Sequence, residues 1–152
     1  MPVQAYLFFD GRCDEAIEFY KTTLGAKVDM LMRFKDAPDQ PKSGEPGCGP
    51  ADMAALADKV MHSSITINGT SIMMSDGFAK GQPKFEGFSL SAEAKDEPGA
   101  QKLFAALSDG GKVQQPLMKT FFSPAFGMVV DRFGVSWMVV VEQAHIATKA
   151  AE

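Results

Sequence analysis

Two pairs of short stretches in this chain read alike. Gly25-Ala26-Lys27-Val28 is answered by Gly110-Gly111-Lys112-Val113, and Gly69-Thr70-Ser71-Ile72-Met73 is answered by Gly134-Val135-Ser136-Trp137-Met138. Both matches fall at equivalent element boundaries. The offset drops from 85 residues to 65 between them, and a stretch rich in proline and glycine in the first half absorbs the difference. Self-similarity of this kind marks one supersecondary unit used twice. With 152 residues in all, the two copies share one compact domain rather than forming two large ones.

The repeating unit can be read from the hydrophobic period. Val3 to Phe9 is apolar and β-prone, then Asp10-Gly11 turns the chain into RCDEAIEFYKTTLG, where Ala16, Ile17, Tyr20 and Leu24 recur at helical spacing and Gly25 stops the helix. From Lys27 the period is two, with Val28, Met30, Met32 and Phe34 on one side and Asp29, Leu31 and Arg33 on the other. Residues 36–59 carry many prolines and glycines and read as a long loop, with one short helical turn near Ala51 to Ala57. Met61 to Ile67 and Ser71 to Ser75 flank Asn68-Gly69, a strong hairpin signal. The order then restarts: a strand over Phe88 to Ala92, a helix opened by Asp96, Glu97 and Pro98 with Leu103, Phe104 and Leu107 on one face, and strands at Lys112 to Met118, Gly127 to Val130 and Val135 to Val141. The expected organisation is a single domain over 1–142, with a first module at about 1–76, a second at about 86–142, and a flexible tail at 143–152.

Composition narrows the function classes. The chain is 45% hydrophobic and 22% charged, with no apolar run near the roughly 20 residues that a membrane helix needs, so no membrane partner is expected. Its formal net charge of −4 opposes attraction to phosphate backbones, and no nucleic-acid partner is expected. The N-terminus reads as a first strand rather than a signal peptide, and Cys13 and Cys48 are too few and too irregularly spaced for a disulfide framework or a zinc motif. Two free thiols suit a cytoplasmic location. The remaining partner class is a small molecule.

A doubled β-α-β-β-β unit resembles the vicinal oxygen chelate superfamily, the glyoxalase and bleomycin-resistance proteins. The segments YLFFDGRCDEAIEFYKTTLGA, LMRFKDAP, DKVMHSSI, KTFFSPAFGM and DRFGVSWMV are similar to signature segments of its PhnB-like branch, which also carries a demethylubiquinone-methyltransferase-like label. The resemblance covers about Val3 to Glu142. It implies an α+β fold of paired modules forming a curved mixed sheet around a concave cavity, and a homodimer in which the modules of two chains help form each cavity. Glyoxalase-type members place a His or Glu metal ligand on the first and last strand of each module. The matching places here are Gln4 (or Ala5), Met73, Gly87 and Met138. None is a normal ligand for a hard cation, so neither a metal nor any other cofactor is expected.

Strand alternation turns Ile65, Ile67, Ile72, Met74, Phe88, Leu90, Trp137 and Val139 toward the helices. The opposite face then carries Gln4, Tyr6, Phe8, Arg33, His62, Ser64, Thr66, Ser71, Met73, Ser75, Ser89, Ser91, Ser136 and Met138. Such a face can simply be the solvated side of an antiparallel sheet, or it can line a ligand cavity. His62 is a candidate acid or base, though a lone histidine is more often structural. Arg33 fits either anion binding or a salt bridge. Phe121 and Phe122, beside a Ser-Pro turn, can cap a core, join an oligomer contact or stack on a ring. Asp10, Asp76 and Asp131 adjoin turns or strand ends and read as structural, and neither Ser123 nor Cys13 has an adjacent base to activate it. The preferred expectation is metal-independent binding of a small polar or aromatic molecule by Gln4, Tyr6, Phe8, Arg33, His62, Ser64, Phe121, Phe122 and Met138. The alternatives are a lyase or isomerase of the same superfamily using His62 or a metal, and an interaction protein that uses the 36–59 loop.

Overall fold

The computed structural model describes residues 1–36, 56–77 and 83–142. Most of the 36–59 loop with its helical turn, Cys48 and the 143–152 tail lie outside the described residues. The chain divides into two compact units, Met1–Pro83 and Lys84–Glu152.

The first unit contains β1 (Tyr6–Phe8), α1 (Cys13–Leu24), β2 (Lys27–Arg33), a short 3-10 turn at Phe34–Asp36, β3 (Val60–Ile67) and β4 (Thr70–Ser75). The second contains β5 (Leu90–Ala94), α2 (Glu97–Ser108), β6 (Lys112–Met118), β7 (Phe126–Val130) and β8 (Ser136–Val141). Their sheets have the orders β1-β4-β3-β2 and β5-β8-β7-β6. In each, the first strand runs parallel to the last while the other pairings are antiparallel. The α+β fold of paired β-α-β-β-β units expected from the repeat is therefore present, and Met73 and Met138 hold the same position in their sheets. No helix among the described residues is long and apolar enough to cross a membrane.

Local signals explain the element ends. Gly25 sits at φ 65° beyond α1, and its N–H reaches the Tyr20 carbonyl. Asn68 and Gly69 have φ 47° and 84°, the pair of positive values that a primed two-residue hairpin turn demands. Asp96 caps α2, its carboxylate accepting from Gly99 N at 2.8 Å. Gly127 is required by packing: a Cβ there would lie 2.7 Å from Phe104 Cε2 and 3.1 Å from the Leu117 Cα, so only glycine lets α2 seat this ring on its sheet. The helix-facing layer is apolar, with Ile65, Ile72, Met74, Val129, Trp137 and Val139 all buried.

α1 starts differently. Arg12, at its N-cap, makes no side-chain cap hydrogen bond. The cap comes instead from Asp76, just past β4. Its fully buried carboxylate accepts from Gly11 N at 3.0 Å, Cys13 N at 2.8 Å and Val60 N at 2.7 Å. One anion thus joins the start of a helix, the start of β3 and the end of β4, and the helix dipole favours its charge.

Three expectations need correction. Phe88, assigned to a strand and to the helix side, precedes β5 and is 44% exposed. The first strand is only Tyr6–Phe8, because β1 pairs with β4 over three residues. Most consequential is β2, whose register shifts again between Met32 and Arg33 after a first bulge at Asp29. Beyond that bulge Met30 lies opposite Ser64 and Met32 opposite His62, on the sheet face away from α1, while Leu31 lies opposite Ser63 on the helix side. One extra residue inverts the strand, since a single-residue slip moves every side chain to the other face.

Removing the Asp76 carboxylate leaves three N–H groups without their acceptor. Asp76→Ala is expected to lower the unfolding free energy by roughly 3 kcal/mol or more in urea titration, with the m-value little changed. A loss below about 1 kcal/mol would show that water or a neighbouring group replaces the carboxylate.

Candidate functional site

The face of the first sheet away from α1 gathers the residues with chemical potential. Cross-strand register sets Met30, Ser64, Met73 and Tyr6 in one rung across β2, β3, β4 and β1. Next to it, Met32 faces His62 across β2 and β3, and Phe8 lies opposite Ser75. The Tyr6 hydroxyl and His62 Nδ1 are 3.0 Å apart, joining residues 56 positions apart in sequence. The Tyr6 ring centroid lies 4.9 Å from that of Phe8 and 5.6 Å from that of His62. Either group can be the donor in this contact: a tyrosine hydroxyl donating to Nδ1 goes with an imidazole proton on Nε2, and the reverse direction goes with the proton on Nδ1. Tyr6 and His62 are half-buried, whereas Phe8 is 57% exposed, so the cluster is an aromatic shelf with one polar corner. Ser64 Oγ and Ser71 Oγ bond each other at 3.0 Å beside it. Thr66 donates to Asp29 at 2.6 Å near the β2 edge.

Arg33 is not on this face. Its guanidinium forms a two-pronged pair with Asp14 at the start of α1, both contacts at 2.9 Å, and donates to the Asp58 carbonyl at 2.6 Å. Of the two roles open to it, the salt bridge is the one it fills, because the bulged β2 carries it to the helix side. Gln4 is exposed just before β1.

In the second unit Met138 lies opposite Ser91 and Met128, and Ser89 Oγ bonds Ser136 Oγ at 2.6 Å. Phe121 is 93% exposed and packs edge-on against Phe122 at 5.1 Å, which in turn meets Phe126 at 5.1 Å. Matching the two registers through Met73 and Met138 makes Ser89, not Gly87, the counterpart of Gln4. Gly87 is an exposed positive-φ residue ahead of β5. Gln4, Met73, Ser89 and Met138 offer an amide, two thioethers and a hydroxyl, a donor set that does not fit a hard divalent ion.

Asp131, Ser123 and Cys13 are each engaged within the scaffold. Asp131 Oδ1 accepts from Phe133 N and Val135 N, and Oδ2 accepts from Trp137 Nε1 at 2.9 Å. The buried Ser123 hydroxyl lies 2.6 Å from the Val141 carbonyl and accepts from Val141 N. Cys13 is fully buried, with Sγ 3.9 Å from Ser63 Oγ. Burial, and after it the negative charge of Asp76, push its thiol from 9.0 up to about 12. It is no nucleophile.

That shift has a testable sign. Unfolded chains lose the Cys13 proton above about pH 9, whereas the folded protein keeps it to about 12, so the contribution is full below 9 and is lost as pH rises through that window. Wild-type stability should therefore fall more steeply between pH 9 and 11 than that of Cys13→Ala, by up to about 1.4 kcal/mol per pH unit. Parallel slopes in urea titrations would refute the buried-thiol assignment.

Comparison with known proteins adds the lineage. Residues 2–140 match the family model described as 3-demethylubiquinone-9 3-methyltransferase. The chain is 34% identical over 144 residues to protein YjdN of Escherichia coli (strain K12), covering 94% of this chain and 97% of that one. The crystal structure of protein PA1353 from Pseudomonas aeruginosa is 35% identical, with a TM-score of 0.77 and 94% and 98% of the two chains covered. A putative 3-demethylubiquinone-9 3-methyltransferase, PhnB protein, from Bacillus cereus follows at 25% identity and TM-score 0.71, covering 93% and 99%. At the level of fold alone, the fosfomycin resistance protein FosX of Listeria monocytogenes superposes with a TM-score of 0.61 at 7% identity, covering 95% of each chain.

Proposed function

Because the chain belongs to the 3-demethylubiquinone-9 3-methyltransferase family in its PhnB-like branch, on the glyoxalase-type fold, we propose that it binds a small polar or aromatic molecule without a metal. The observation that carries this reading is the Tyr6–His62 hydrogen bond set against the exposed Phe8 ring on one sheet face. Rings on such a shelf supply apolar area and an orienting quadrupole, while the imidazole and nearby hydroxyls fix one polar substituent. Ligand-contacting residues are proposed to be Gln4, Tyr6, Phe8, His62 and Ser64 on the first unit, and Phe121, Phe122 and Met138 are proposed as ligand contacts of the second unit taken by itself. Arg33 is left out because Asp14 and the Asp58 carbonyl hold it. The protein is further proposed to act in the cytoplasm.

Thermal-shift screening of small aromatic and polar compounds tests the binding reading. A ligand at 100 times its Kd adds about 2.7 kcal/mol and raises Tm by several degrees. His62→Ala and Tyr6→Phe should reduce that rise, and a shift untouched by both would place the ligand elsewhere. In the same assay, a stoichiometric divalent ion that co-purifies and raises Tm would end the metal-independent account.

A second reading, a lyase or isomerase, draws on the same hydrogen bond, since a histidine oriented through one nitrogen is arranged for proton transfer at the other. A turnover whose kcat collapses in His62→Ala with KM nearly unchanged would favour it.

The resemblance to the glyoxalase-type fold also supports a homodimer. Light scattering behind size exclusion should return about twice the 16.4 kDa chain mass, and a monomer at micromolar concentration would refute it.

A further inference from the structure

Charge on the face of the first sheet away from α1 is distributed in a way that selects a ligand class. Among the described residues, Tyr6, Phe8, Met30, Met32, His62, Ser64 and Met73 form its middle, and none of them carries a fixed charge. The single guanidinium of β2, Arg33, is turned to the helix side and held by Asp14 at 2.9 Å through both terminal nitrogens. Among the described residues, the charged groups on this face lie at the β2 edge, where Lys27 is opposite Thr66 and Asp29 accepts from Thr66, so they are of opposite sign. The polar contacts on offer are the imidazole, the phenol and the Ser64–Ser71 hydroxyl pair, all of which can donate or accept without ionic charge. Thioethers at Met30, Met32 and Met73 add soft apolar contacts that favour ring edges.

We propose that the ligand of this face is an uncharged ring compound bearing one hydrogen-bonding substituent, a phenol-like or quinone-like molecule, and that phosphates and phosphonates are rejected. The proposal rests on the binding reading above. Desolvating a dianion over this shelf without a cation to pair it is strongly unfavourable, whereas a neutral hydroxyl or carbonyl exchanges water for the imidazole at little loss. The Arg33–Asp14 pair is thus part of the selectivity, because it keeps this guanidinium off the face.

Calorimetric titration of the full chain with 2-naphthol and with 2-naphthyl phosphate, paired with amide NMR shifts to locate binding, tests this. The expected result is 2-naphthol perturbing β1, β3 and β4 amides and binding at least tenfold more tightly than the phosphate. Tyr6→Phe, which keeps the ring, should weaken 2-naphthol by about fivefold. Arg33→Gln should leave the preference between the two probes unchanged. A phosphate that binds the same amides as tightly as the naphthol, or whose binding vanishes in Arg33→Gln, overturns the neutral-ligand assignment and leaves the binding reading standing. Absence of perturbation by either probe removes the binding reading and this inference with it.

Discussion

The first unit depends on one buried anion. Asp76 accepts from Gly11, Cys13 and Val60, which fixes where α1 begins relative to the strands on which it packs. A carboxylate taken out of water is tolerated only when its lone pairs are filled by donors, and here three amides and a helix N-terminus supply them. The tie reaches the candidate face as well. Gly11 stands three residues beyond Phe8, so the turn anchored to Asp76 also holds the end of β1, and with it the aromatic shelf. Cys13 shares this environment, which is why its thiol stays protonated rather than reactive.

The second unit solves the same junction by other means. The position equivalent to Asp76 is Val141, which has no carboxylate to offer. α2 is capped locally by Asp96, and the end of β8 is pinned by the Ser123 hydroxyl through Val141 N and O. A helix with its own N-cap needs no distant acceptor, so the duplication can lose the buried charge without losing the fold. This explains why the repeat is visible in the Gly-Ala-Lys-Val and Gly-Thr-Ser-Ile-Met stretches but fades at the helix starts.

Much of the scaffold was legible because its determinants are local. Asn68-Gly69, Gly25 and the Asp96-Glu97-Pro98 start each specify backbone geometry within a few residues. The orientation of β2 was not legible, because the bulge at Asp29 depends on its pairing with β3 and leaves no mark on the alternation of Val28 to Phe34. That displacement brought Met30 and Met32 onto the candidate face, and a second shift just before Arg33 leaves its guanidinium with Asp14 on the helix side. The Tyr6–His62 contact was likewise beyond sequence periodicity. Alternation put both residues on one face, but their meeting depends on β4 lying between β1 and β3, an order set only when the parallel pairing forms. The place given to Gly87 failed for a related reason: a count from the turn missed where β5 actually begins, and sheet register puts Ser89 there.

Register also shows what the duplication conserved and what it changed. Met73 and Met138 coincide, and so do the helix-side residues Ile72 and Trp137, which bury apolar area in both units. On the opposite face the equivalences diverge: Tyr6 answers to Ser91, Phe8 to Glu93, His62 to Phe126 and Ser64 to Met128. Packing against a helix constrains one side of a sheet to volume and shape, whereas the other side is free to change chemistry at small energetic cost. The aromatic shelf with its histidine therefore belongs to one copy only. The same backbone unit carries a hydrogen-bonding corner in the first half and a serine, glutamate and phenylalanine in its place in the second. A face that differs between two copies of one scaffold is where binding chemistry is expected to reside, since the fold does not need it.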